Sequence, residues 1–356
     1  MIHKYVKDPT LRAILLGQAG DYGLPPSIVS AFMHTGIMRH YLNGGFYPKG
    51  GAISIPLAFV NALKKNGNEV KLRKPVERIL IRGGRAIGVQ TTDGETFYAK
   101  NVVSNADPET TFTNLIGDEY LSKKLKKKLK KTAYSTSCVS LFMTVNKDLK
   151  EMGLDSGNYW FYEHPDIDKI YFLGQTDYIT NNKPPGIFMT ITSLKDPTKV
   201  KDGLHTIEAF SFTSYDSFKK WENEPKGDRS AGYNQLKTKI MENMINVLDG
   251  RVPGLKDAIV FKNLSTPLTI KHYINSYKGN IYGTEKINRQ TGPLGYTAKT
   301  EIDNLYLCGA STFSHGVAGV IGTGLLAAAT ILKCNSGDLL NQNSPKIVIK
   351  PSEVDR

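Results

Sequence analysis

Residues 305–332 read LYLCGASTFSHGVAGVIGTGLLAAATIL. Asn304 to Cys308 has the apolar run of a buried strand, and Val317 to Leu332 has the continuous apolarity of a packed helix. Gly309, Gly316, Gly319, Gly322 and Gly324 fall between and within them. Glycine lets a backbone turn sharply and approach a ligand closely, and a helix start offers unpaired N–H groups to negative charge. The stretch reads either as a strand–loop–helix cradle for a pyrophosphate or a planar ring, or as a glycine-rich packed helix with no ligand. The frequent companion of such a cradle, G-x-G-x-x-G between a strand and a helix with an acidic residue about 20 positions later, does not occur in the sequence.

Working outward, residues 47–108 extend the same theme. Tyr47-Pro48-Lys49-Gly50-Gly51 is a rigid turn feeding a helix whose apolar face is Ile55, Ala58, Phe59, Ala62 and Leu63, ended by Asn66-Gly67. Lys49 reads equally as a phosphate-facing or a surface cation. Strands are expected at Glu69–Leu72 and Val76–Ile81, the second joined through Gly83-Gly84 to Ala86–Thr91 as a hairpin. Asp93-Gly94 turns the chain into Thr96–Ala99, and Asn101–Ser104 is a further short strand. Asp107 is then placed as a helix N-cap with Pro108 at the first helical position. The order fits the second half of an α/β nucleotide-binding unit with a small antiparallel insertion.

The flanking regions differ. Residues 4–20 and 27–42 look helical, with Leu11, Ile14, Leu15 and Leu16 on one stripe of the first. Residues 119–131, EYLSKKLKKKLKK, set Leu121, Leu125 and Leu129 on one helix face and seven lysines on the others. That pattern suits a solvated surface helix or an interfacial helix beside anionic lipid. Strands at about 137–146, 159–162, 186–192 and 205–212, a helix near 229–248 and a strand at Thr269–Asn275 suggest an antiparallel sheet with helices on one face. The polar tail beyond 335 is expected to be flexible.

At 356 residues the chain has room for two domains, and its 40% hydrophobic and 22% charged content is that of a folded protein. The formal charge of +13 suits a basic surface or an anionic membrane face, and no zinc-finger spacing or RNA-binding aromatic motif points to nucleic acid. Cys138, Cys308 and Cys334 are too few and too scattered for a disulfide framework. A reducing, cytoplasmic setting follows, with peripheral contact to the inner face of the membrane as an expectation. The most apolar run, Val317–Leu332, is short for a membrane span and carries three glycines. Seven histidines, His34, His40, His205, His272 and His315 among them, show no H-E-x-x-H, and no metal site is assigned.

Four segments in order resemble one family. They are Gly23-Leu24-Pro25-Pro26, residues 47–108, Thr266-Pro267-Leu268-Thr269 with Gly279-Asn280-Ile281-Tyr282-Gly283, and residues 305–332. Together they resemble the phytoene desaturase and all-trans-retinol saturase group of FAD-dependent oxidoreductases, within the amine-oxidase superfamily. The resemblance implies an α/β plus α+β fold: an incomplete FAD-binding, glutathione-reductase-like domain interleaved with an antiparallel-sheet substrate domain. Sections are expected at 1–46 (helical cap), 47–118 (FAD-binding), 119–270 (substrate-binding), 271–334 (return to the FAD domain) and 335–356 (flexible tail). The family's first βαβ unit has no counterpart in this sequence; the alternatives are a separate polypeptide that supplies it as a partner, its loss by truncation, or a start assigned too far downstream.

By the same resemblance the FAD contacts are Val76 at the adenine, Ser104, Asn105 and Ala106 on the cofactor side, Gly309 and Ala310 near the pyrophosphate–ribityl region, and Gly319, Val320 and Ile321 at the start of the helix under the flavin. Gly309-Ala310 departs from relatives that carry an acidic residue after the glycine. Tyr282 and His315 are candidates for the substrate cavity: Tyr282 reads more readily as an interdomain packing residue, and His315 more readily as a capping, loop-ordering or cavity-lining residue than as a proton-handling or flavin-polarising one. The implied chemistry is hydride transfer at a carbon–carbon bond of a long apolar isoprenoid, such as a carotenoid or retinoid, and it names no catalytic residue. The alternative is a non-catalytic truncated paralogue acting as a binding or scaffold protein.

Overall fold

The computed structural model describes residues 2–340 and 347–350. Two compact units emerge among the described residues, each assembled from separated stretches: chiefly 2–70 and 136–273 in the first, 71–135 and 274–340 in the second. The expected sections had placed 47–70 with the nucleotide-binding half and 119–135 with the substrate half, and both group the other way. The 47–51 turn is tied to the first unit by the Gly50 N–H, which donates to Asp196 Oδ2 at 2.7 Å. The lysine-rich stretch is tied to the second unit by its leucines.

In the second unit, β1 (Val76–Arg82) and β2 (Arg85–Thr91) form the expected hairpin, with Gly83 and Gly84 both at positive φ as a two-residue turn requires. Strand β3 (Thr96–Tyr98) pairs with β2, and β4 (Val102–Ser104) follows. No strand forms at Glu69–Leu72; Arg73 stands at φ 57°, outside extended backbone. After Pro108 comes a π-helix, Glu109–Ile116. The lysine-rich helix, Lys123–Lys131, is capped by Ser122 and buries Leu125 and Leu129. They join Leu121, Ile79, Phe112 and Leu305 in this unit's core. The leucine stripe is therefore used in packing and is not available to insert into lipid.

The first unit is built on an antiparallel sheet of β5 (Ser137–Val145), β6 (Asn158–Tyr162), β7 (Gly186–Thr190), β8 (His205–Thr213) and β9 (Ile259–Ser265), in the order β6-β7-β8-β5-β9. Alternation puts Val139, Leu141, Met143 and Val145 of β5, with Ile187, Met189, Ile207 and Ala209, into one core under the Ala231–Asp249 helix. The expected strand at Thr269–Asn275 is a helix, Pro267–Ile274. Pro267 takes the first helical position, and the N–H groups of Thr269 and Ile270 bond back to the Thr266 carbonyl. The expected 4–20 helix is broken at Asp8-Pro9 into Ile2–Tyr5 and Pro9–Leu16, with Asp8 capping the second through the Leu11 N–H. Of its stripe only Leu16 is buried.

The chain returns to the second unit, where β10 (Leu305–Leu307) pairs in parallel with β4 and leads into the Gly316–Leu332 helix. In the expected flexible tail, Ser336–Leu339 forms a 3-10 turn with a capping box at Asn335, while 341–346 and 351–356 lie outside the described residues. Among the described residues no helix is long and apolar enough to cross a membrane.

Candidate functional site

Strands β4 and β10 run side by side in one direction, so their carboxyl ends open together, where ligands of open parallel sheets bind. Ser104 pairs with Leu307, and the Cys308 N–H continues the ladder to the Ser104 carbonyl at 3.0 Å. Just beyond are Asn105 and Ala106 on one strand and Gly309 and Ala310 on the other. Five of the nine expected FAD residues thus meet at one edge.

Gly309 stands at φ 91°, and a Cβ there would run into Asn105 Oδ1. Its N–H donates to Thr323 Oγ1 at 2.8 Å, fastening the loop to the following helix. The helix begins at Gly316 with no side-chain cap. Its orphan donors therefore fall at Gly316, Val317 and Ala318, all exposed, and not at Val320 and Ile321 as expected from sequence. Gly319 packs against Ser314, Val320 is half-buried, and Ile321 is exposed one turn into the helix. Val76 belongs to a different sheet, at the first residue of β1 opposite Thr91.

The loop is held from behind by groups to which the sequence assigns another role or none. Asp107, 9% exposed, is no helix cap. Its carboxylate accepts from the Tyr277 N–H at 2.8 Å, Asn280 Nδ2 at 2.7 Å and Ser311 Oγ at 2.5 Å. Asn280 in turn accepts the Gly283 N–H at 2.8 Å. Gly283, at φ 72°, presses so closely on the loop that a Cβ would lie 2.7 Å from the Ala310–Ser311 peptide. Lys286, 1% exposed, donates to the Ala310 carbonyl at 2.6 Å, and Thr284 Oγ1 donates to that of Ser311 at 3.1 Å. Burial pushes the Lys286 ammonium down to about 8, against the pull of Asp107. Nothing in the sequence distinguished Lys286 from other lysines, and Asp107-Pro108 matched a helix cap too well.

Tyr282 and His315 are brought together, with ring centroids 4.8 Å apart and planes tilted by 39°. His315 is buried immediately before the helix. Among the described residues no group of three His, Cys, Asp or Glu is placed to hold a metal ion.

The family profile described as flavin containing amine oxidoreductase matches residues 3–332. The chain belongs to that family. FAD is its cofactor, and the glycine cradle at Gly309, with the uncapped helix start beyond it, fits a group carrying negative charge. The all-trans-retinol 13,14-reductase of Danio rerio is 32% identical over 94% of this chain and 57% of its own length. The chloroplastic prolycopene isomerase of Arabidopsis thaliana is 29% identical over 91% of this chain and 52% of its own. The chain thus spans little more than half the length of these relatives. An oxidoreductase from Methanosarcina mazei superposes with a TM-score of 0.52 at 16% identity, over 80% of this chain and 55% of that one. Putrescine oxidase bound to putrescine gives 0.52 at 14% identity, over 80% and 53%. These structures establish a shared mixed helix-and-sheet fold of the flavin amine oxidase kind.

Proposed function

We propose that this chain carries the substrate face and part of the flavin cradle of an FAD-dependent oxidoreductase acting on a carbon–carbon bond of a long apolar isoprenoid. The observation that carries the reading is the aromatic layer on the sheet of the first unit. Trp160 and Phe188 lie 4.7 Å apart by ring centroid, Phe188 and Phe210 4.8 Å, and Phe210 and Phe212 5.3 Å. A layer of rings complements a polyene by area and shape and offers little to a small polar substrate. The names of the retinol reductase and prolycopene isomerase relatives support the same substrate class.

Bound FAD supplies the redox step, the exchange of a hydride with a substrate carbon. The chain's own share is orientation and water exclusion. Ser104 to Ala106 and Gly309-Ala310 hold the cofactor's backbone side, the start of the Gly316–Leu332 helix directs its N–H dipoles to negative charge, and Val76 takes the adenine end by resemblance. Asp107, Asn280 and Lys286 keep the Ala310–Ser311 peptide in place from behind. Tyr282 and His315 wall the approach to the helix start.

The lysines of the 123–131 helix, their leucines buried, fit an anionic membrane surface by charge alone, which would bring the protein to where such substrates dissolve. A second polypeptide that completes the flavin site is also proposed, because the Gly316–Leu332 helix leaves Val317, Ile321, Leu326 and Leu332 exposed. The same exposure favours a second reading, a non-catalytic binding or scaffold protein. A relative from Danio rerio, 27% identical, is itself named an inactive all-trans-retinol 13,14-reductase. Anaerobic incubation with FAD and reductant, reading the absorbance of added retinoid and carotenoid polyenes, separates the two. A flavin-dependent shift of the polyene band supports the enzyme. Stoichiometric flavin with no change in any polyene, or with turnover of primary amines only, overturns it.

A further inference from the structure

The outer face of the sheet in the first unit carries one carboxylate beside the aromatic layer. Ile207 and Ala209 are buried in the core, so alternation turns Glu208 and Phe210 to the opposite face. Across the ladder Glu208 stands between Thr190 of β7 and Phe142 of β5, and Phe142 is 41% exposed. Glu208 is exposed, its carboxyl makes no hydrogen bond or ion pair among the described residues, and partial loss of water beside the rings raises it above the usual range. Its field reaches the Tyr47 phenol, which burial chiefly raises and to which Glu208 and Asp196 add.

The rest of this face is aromatic and closed at its far end. Gly20 lies against the Trp160 ring, and Tyr162 donates its hydroxyl to the Gly17 carbonyl at 2.5 Å. The cavity behind the rings, lined by Trp160, Tyr171, Phe188, Phe210 and Phe212 among others, holds about 10 Å³, room for no more than a water. A ligand must therefore lie along the rings. An apolar chain starting at Glu208 crosses Phe210 and Phe188 and reaches Trp160 after about 12 Å, from the rise of a strand and the spacing of three strands.

We propose that Glu208 accepts the terminal hydroxyl of an isoprenoid alcohol whose chain lies over Phe210 and Phe188 towards Trp160. This rests on the isoprenoid reading above and narrows it to substrates with a polar head. A pure hydrocarbon would cover the carboxylate and leave it without a partner, which is costly. An ammonium head would meet only one carboxylate in a chain of formal charge +13.

The test is equilibrium binding to the purified 356-residue chain, read by polyene quenching of tryptophan fluorescence. The probes are all-trans-retinol, retinyl methyl ether and retinylamine. Retinol should bind roughly ten- to a hundredfold more tightly than the ether, the range for a hydrogen bond to a charged group. Glu208→Leu should erase that difference by weakening retinol alone. Glu208→Gln, whose amide oxygen still accepts, should keep part of it. Equal binding of alcohol and ether, unmoved by Glu208→Leu, overturns the role of Glu208 and leaves the isoprenoid reading standing. Tighter binding of retinylamine than of retinol overturns the choice of a hydroxyl head. Failure of all three probes to bind overturns both readings.

Discussion

Lys286 offers a quantitative test of the buttress behind the flavin loop. Its ordinary value of 10.5 falls to about 8 in the fold. Below pH 8 folded and unfolded chains both hold the proton, and the fold bears the whole penalty of a buried cation. Between pH 8 and 10.5 the folded chain has released the proton while the unfolded chain still binds it, so stability rises with pH. Above 10.5 both are neutral and the contribution is flat. A displacement of this size corresponds to roughly 3 kcal/mol, at up to about 1.4 kcal/mol per pH unit. Cys138 and Cys308, whose thiols burial raises, pull the other way over part of this window. The comparison must therefore be a difference against Lys286→Met, which keeps the stem and removes the charge. Urea denaturation of both proteins from pH 7.5 to 9.5 should show wild type gaining about 2 kcal/mol relative to the variant. A relative stability constant to within about 0.5 kcal/mol, or one in which the wild type loses ground to the variant as pH rises, would refute a buried cation at this position.

Gly309→Ala combines a left-handed backbone with a clash against Asn105, and should cost about 1–3 kcal/mol in urea unfolding and further weaken FAD binding in an equilibrium titration; a variant that keeps both stability and affinity would remove Gly309 from the cradle. Leu129→Ala, in the core of the second unit, should destabilise by about 2–4 kcal/mol in urea unfolding, whereas Lys126→Glu should leave stability within about 0.5 kcal/mol and lower sedimentation with anionic vesicles. Equal vesicle binding by wild type and Lys126→Glu would argue against the lysine face as a membrane contact. The chain by itself should bind FAD weakly and self-associate, because the long apolar helix after the loop leaves Val317, Ile321 and Leu332 uncovered. A micromolar or tighter dissociation constant by calorimetry, with monomeric light scattering, would overturn that expectation.

What the sequence disclosed divides by range of interaction. The β1–β2 hairpin was legible because Gly83-Gly84 permits one kind of turn, and the Leu125/Leu129 stripe because helical period is local. The β4 and β10 strands, with the glycine between β10 and its helix, were legible for the same reason. Thr269–Asn275 was misread since β-branched and aromatic residues outweighed Pro267 at the helix start. Asp107 was read as a cap from its neighbour Pro108, whereas its partners lie 170, 173 and 204 residues away. Nothing near Lys286 in sequence signals that it is buried against Ala310. The sequence reading puts the helix start at Val320 and Ile321, and the structure places it about one turn earlier, at Gly316.

The second unit is discontinuous, with residues 136–273 of the other unit inserted between its two halves. On a ribosome moving at about 5–20 residues per second, the first half, with β4, Asp107 and the leucines of the lysine-rich helix, waits roughly 7–30 s before Asn280 and Ser311 are made. Over that interval the Asp107 carboxylate has none of its three donor partners, and β4 has no parallel neighbour. The positive charge of the lysines then serves a purpose separate from any membrane: like-charged nascent chains repel one another while their apolar surfaces await burial. Acquisition of protease resistance by the second unit should accordingly lag behind that of the sheet-bearing unit during synthesis.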